Sequence, residues 1–269
     1  MNISSIKKNI LRNKFSLFIR NSLNIRPVDT YYPNYEKACV SDFFYWVFDN
    51  NFNTKFMLTN ISSHIMPSLP QEDNVKFIVY DHNGNILKQF NILLLPNETK
   101  EIIFSDLNIK GYGSFFVFHE FSRLNNLSNY GSFIAERGYV GYKKNDGVWN
   151  FMHGNYNACY LNKKNKIKSI ISKSFFNQFY YPQVSFKDTD RFKIIINNPT
   201  KSQTKVDIEC YNNKKNSIKL KNAVINSFST YIFKFDSIDI DYIVIKSKIL
   251  FCRPLIFKEY KTYFDIFHG

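Results

Sequence analysis

Arg137 stands 16 residues before His153, and Arg253 stands 15 residues before His268. Each of the two histidines is followed by glycine. The chain holds only 5 His and 7 Arg, so two similar placements are informative. A guanidinium is a forked donor suited to a carboxylate, a phosphate or a sugar hydroxyl, and a neighbouring imidazole can accept or return a proton. The same pattern also suits an inherited structural corner, with Arg on strand-end carbonyls and His-Gly in a turn.

Trp149 lies near His153, Glu136 precedes Arg137, and Asp265 takes the place in the second pattern that Asn150 holds in the first. Cys252 stands where Glu136 does, so only the first pattern offers a carboxylate beside its Arg. The ligand-binding candidates are therefore Arg137, His153, Arg253, His268, Trp149, Glu136 and Asp265. His119 and Glu120 alternate to opposite faces of a strand, and His64 and His82 fall in loops. A metal set from His119, His153 and Glu136 lacks any recognised ligand spacing, so no metal and no cofactor are expected. The chain contains no nucleophile elbow, phosphate loop or dinucleotide fingerprint.

The elements that must position these residues are strands. Alternation of period two runs through 43–48, 54–60, 75–81, 86–94, 100–104, 113–119, 132–141 and 148–153. Asn83-Gly84 and Asp146-Gly147 sit between such runs and predict type I′ hairpin turns. In a hairpin the Arg and the His of each pattern become neighbours at one sheet edge. Alternation puts Trp149, Phe151 and His153 on one face, and Phe264, Ile266 and His268 on the corresponding face.

The order of features repeats. Tyr31-Tyr32-Pro33 precedes the first series and Tyr180-Tyr181-Pro182 the second. The stretch 54–60 resembles 190–197, 75–80 resembles 206–211, and 149–154 resembles 264–269. The expected fold is all-β: two tandem antiparallel β-sandwich units related by internal duplication, with a short N-terminal basic helix. The expected boundaries are a basic amphipathic segment over 1–28, a first unit over 29–160, a polar linker over 161–179 and a second unit over 180–269.

Charge is uneven along the chain. Residues 1–28 hold six basic residues and no acid; residues 29–160 hold 10 basic and 13 acidic residues; residues 161–269 hold 20 and 9. Apolar residues over 3–23 recur at helical spacing. Such a segment could dock on the body of the protein, lie on an anionic membrane surface through residues 1–26, or remain a flexible arm. Abundant Phe and Tyr with Lys far above Arg reflect A/T-rich codons acting on a sheet core as well as any binding surface. The four cysteines are widely spaced, which predicts free thiols, and a cytoplasmic protein, peripheral to a membrane if the tail binds one. Dispersed lysines without a nucleic-acid motif disfavour nucleic acid as a partner.

Three functions fit. The first is a non-catalytic binding or assembly protein presenting aromatic and Arg/His-lined edges to a glycan or protein partner. The second is an enzyme acting on an anionic or sugar-like substrate, with His153 or His268 as acid/base and Arg137 or Arg253 holding the anion. The third is a peripheral membrane protein held by its basic tail.

Overall fold

The computed structural model describes residues 13, 15–16, 19, 39–60, 63, 72–119, 138–154, 157–161, 164–169, 171, 173–186, 189–236, 240–249 and 253–268. The protein is all-β. Its strands are β1 (Cys39–Asp42), β2 (Phe44–Phe48), β3 (Phe52–Thr59), β4 (Asp73–Asp81), β5 (Ile86–Leu94), β6 (Thr99–Ile103), β7 (Gly111–Phe118), β8 (Tyr139–Lys144), β9 (Trp149–His153), β10 (Asn157–Leu161), β11 (Ile167–Ser169), β12 (Lys173–Tyr180), β13 (Arg191–Asn197), β14 (Thr204–Tyr211), β15 (Ser217–Ile225), β16 (Thr230–Asp236), β17 (Tyr242–Ile249), β18 (Leu255–Glu259) and β19 (Phe264–His268). One 3-10 turn follows β6 at Phe104–Leu107.

These strands form five small antiparallel sheets. Their orders are β2-β7-β4-β5, β6-β3-β8-β9, β12-β17-β14-β15, β16-β13-β18-β19 and β1-β10-β11. Adding ten to each strand number in the first two sheets gives the third and fourth. The registers correspond as well: Lys55 pairs with Gly141, and Gly141 with Phe151, as Lys193 pairs with Phe257, and Phe257 with Ile266.

Two independent sandwiches joined by a linker do not describe this molecule. One buried cluster joins Phe43, Ile78, Tyr80, Phe116 and Phe118 of the first half to Phe192, Ile194, Ile208 and Ile245 of the second. The other joins Phe44, Trp46, Phe56 and Tyr142 to Ile195, Leu255, Phe257 and Phe264. Each core is thus completed by the other half. Residues 161–179, expected as linker, carry β11 and most of β12, and β10 pairs back onto β1. Of the tail, Phe15, Ser16 and Ile19 have helical backbone and Phe15 is exposed; the expected helix otherwise lies outside the described residues.

The turns show how the two halves use one local chemistry. Asp81 Oδ1 accepts from the backbone N–H of Asn83 and Asn85, and Asn212 Oδ1 accepts from Lys214 and Asn216. Gly84 and Lys215 take positive φ at the same place in each loop. The expected type I′ turn at Asn83-Gly84 is therefore a three-residue loop with one left-handed residue and an irregularity in the adjoining register. At Asp146-Gly147 the left-handed residue is Asn145, one position before the expected pair. Among the described residues no helix is long and apolar enough to cross a membrane.

Candidate functional site

On β8 and β9, side chains sharing a face fall into three cross-strand rows. Lys143 lies opposite Trp149, Gly141 opposite Phe151, and Tyr139 opposite His153. Asn53, Lys55 and Met57 of β3 extend these rows. The alternate residues Phe56, Val140, Tyr142 and Met152 face the core and are buried. The pleat thus turns Tyr139, Trp149, Phe151 and His153 away from the core together.

Gly141 shapes this face. A Cβ at that position would come within 2.6 Å of the Phe151 ring, so only glycine lets the ring lie down on the strand. The rest of Phe151 remains open, 47% exposed, beside Tyr139 at 57%. Trp149 sits 6.5 Å from Phe151, centroid to centroid. Two ammonium groups approach its ring, Lys55 at 4.8 Å and Lys143 at 5.5 Å, with Lys55 also paired to Glu101 at 2.8 Å. The surface is a short aromatic shelf with positive charge along one side.

The corresponding face of the second half has the same rows but different residues. Glu259 and Phe264, Phe257 and Ile266, and Leu255 and His268 are the pairs. There Ile195, Leu255, Phe257 and Phe264 are buried. Phe257 packs 5.8 Å from Tyr45, 5.6 Å from Phe52 and 5.0 Å from Tyr142. The second half uses this face to grip the first half, and the first half leaves its own copy open.

The two sequence-predicted histidines meet across that grip. His153 and His268 approach at 2.9 Å between Nε2 atoms, and both are half-buried. His153 Nδ1 lies 2.8 Å from the Gly154 carbonyl oxygen and donates to it. Burial holds the proton affinity of His268 below that of a free imidazole, and the nearby His153 and Arg253 charges add to the effect. Arg253 is exposed and lies close enough to act on His268 through its charge. Glu136 and Arg137 lie outside the described residues. Asp265 is half-buried on β19, on the opposite face from His268.

Two features escaped sequence reasoning. Asp73 at the start of β4 sits 2.6 Å from His119 just after β7, both buried. The pairing follows from the antiparallel β4–β7 register, which brings positions 46 residues apart together. The second feature is a pair of buried asparagines. Asn60 donates from its backbone to the Glu98 carbonyl and from Nδ2 to the Leu95 carbonyl. Asn198 does likewise to Ser229 and to Asn226, and also reaches the Ile225 and Ser202 carbonyls. Asn97 and Phe228 are the left-handed residues of the two turns so held.

No family model matches the chain, and no curated protein does. Among solved structures, the M60 catalytic domain with the CBM51-1 and CBM51-2 domains of ZmpB from Clostridium perfringens is 9% identical, with a TM-score of 0.21. That likeness covers 77% of this chain and 31% of the other, so the chain spans about a third of the length of that structure. At such a score it carries no argument about fold or function.

Proposed function

We propose that this is a non-catalytic binding protein whose ligand is an acidic glycan, held on the open face of β3, β8 and β9. The observation that carries the reading is the Phe151 ring laid flat on Gly141 with its other side open. Pyranose rings present a flat array of C–H groups that buries well against such a ring, and each aromatic contributes through area and quadrupole together. Tyr139 extends the shelf and supplies a hydroxyl. Lys143 adds charge suited to a carboxylate or sulfate, while the charge of Lys55 is matched by Glu101.

The two halves are read as copies of one eight-stranded unit. Identical sheet order, matching registers and equivalent buried asparagines support that relation. The copies then divided their use of one face: apolar and buried as an internal joint in the second, aromatic and cationic in the first.

The test is an array of sialylated, uronic-acid and sulfated glycans probed with the full chain, followed by titration of any hit. Binding should weaken at least about tenfold in Phe151→Ala, a loss of roughly 1.4 kcal/mol. Gly141→Ala should weaken it too, because the added methyl lifts the ring. Absence of any bound glycan, or equal affinity in both variants, would overturn the proposal.

A further inference from the structure

We infer that His153 and His268 form a binding site for a divalent transition-metal cation of the copper, nickel and zinc class, held between the two halves of the chain. The inference is independent of the glycan-binding face. It starts from the hydrogen bonds of the two rings. A carbonyl can only accept, so the 2.8 Å approach of His153 Nδ1 to the Gly154 oxygen places the hydrogen on Nδ1. Nε2 of His153 is then a bare lone pair. The main chain of His268 favours the protonated form of its own ring. When His268 likewise carries its hydrogen on Nδ1, two Nε2 lone pairs face each other at 2.9 Å.

Two lone pairs at that distance repel unless an electrophile lies between them or beside them. A backbone carbonyl fixing one ring nitrogen while the other is presented outward is the usual support of a metal-binding imidazole. At metal–nitrogen distances of about 2.0–2.1 Å, the separation subtends an angle of about 90°. That is the cis angle of a tetragonal or octahedral ion, and imidazole suits copper, nickel and zinc. Among the described residues no group of three His, Cys, Asp or Glu converges, so solvent would complete the coordination sphere. Both rings are half-buried, which leaves them reachable.

The charges around the pair are mixed. The Arg253 guanidinium disfavours positive charge at His268. The Asp42 carboxylate lies against Gly154, where a Cβ would come within 2.6 Å of its oxygen. Tyr139 and Leu255 are the cross-strand neighbours of the two histidines.

The experiment is calorimetric titration of Ni²⁺, Cu²⁺ and Zn²⁺ into the chelator-treated full chain near neutral pH. One ion should bind per chain, and His153→Ala or His268→Ala should each weaken binding at least about tenfold. Bound Cu²⁺ should show nitrogen hyperfine structure in its electron paramagnetic resonance spectrum, lost in either variant. His268→Gln keeps a side chain that can hydrogen-bond to His153 and serves if the alanine variants fail to fold. Equal binding by wild type and His153→Ala/His268→Gln, or none by wild type, would overturn the inference and leave the pair sharing only a proton.

Discussion

Asn198 shows how one side chain can fix a turn that has no glycine. The two hydrogens of its amide are shared among three carbonyls, and its oxygen accepts from both the N–H and the hydroxyl of Thr200. The turn it holds places Phe228 at a φ of 56°, a conformation that bulky residues adopt only under constraint. The Phe228 ring in turn stacks on Tyr80 and meets Phe116 of the first half. Asn198→Ala should therefore cost about 2–4 kcal/mol, because several buried groups lose their partners at once. Urea denaturation of the full chain measures this, and a cost below about 1 kcal/mol would show that the turn holds without the amide. The sequence pattern points to the neighbouring asparagine, for a physical reason. Aligning 54–60 with 190–197 ends Asn60 on Asn197, whereas the hydrogen bonds set it against Asn198. Ile194, Ile195 and Ile196 are all buried because β13 has a core on both faces. A strand buried on both faces shows no alternation, so nothing in its sequence fixes the register.

Strands with one open face are more legible in the sequence. Alternation placed Trp149, Phe151 and His153 together, and the β8–β9 register does so. Residues 86–94 form β5 at the bounds that alternation predicts. The polar, lysine-rich stretch after Leu161 gave no such signal, yet it contains β11. A short strand paired only through backbone groups leaves little trace in side-chain pattern. β12 is the opposite case, since it is conspicuous but outward-facing. It ends its sheet among the described residues and exposes Phe175 at 67% and Phe179 at 53%. Its register with β17 breaks between Lys173 and Gln178, the stretch that holds Phe175, while Phe179 is paired in register with Lys246 and exposed as part of an edge strand. Phe175→Ser and Phe179→Ser should each change stability by less than about 0.5 kcal/mol, as for other exposed positions. Thermal melts check this, and a loss above about 2 kcal/mol in either variant would show that the strip is buried in the folded protein.

At the scale of the whole molecule, the two halves fold as one because each completes the other's core. The clusters that contain Phe257 and Phe264, and Tyr80 and Phe116, both cross between halves. Ionic contacts follow the same seam. Glu259 of β18 pairs with Lys193 of its own half and with Lys144 of the first half at 3.1 Å. Asn150 donates to the Phe264 carbonyl at 3.2 Å beside it. Burial by itself would raise the proton affinity of Glu259, but hydrogen bonds and charge from Lys193 and Lys144 outweigh it and leave the carboxyl below its ordinary range. A carboxylate depressed in the folded state stabilises above its unfolded pKa and loses that contribution as pH falls through the folded value. Its stabilisation is thus full above about pH 5 and fades below about pH 4, near and under the ordinary glutamate value. Glu259→Gln should accordingly be less stable than wild type by about 1.5–3 kcal/mol near neutrality, the range for hydrogen bonds to a charged group. The gap should narrow in acid, because wild-type Glu259 then carries a proton and also loses its pairing with the lysines. Urea denaturation of both proteins between about pH 3 and pH 7 measures the two trends. No gap near neutrality, or a gap that stays constant across that range, would show that the Glu259 charge does not secure the seam between the halves.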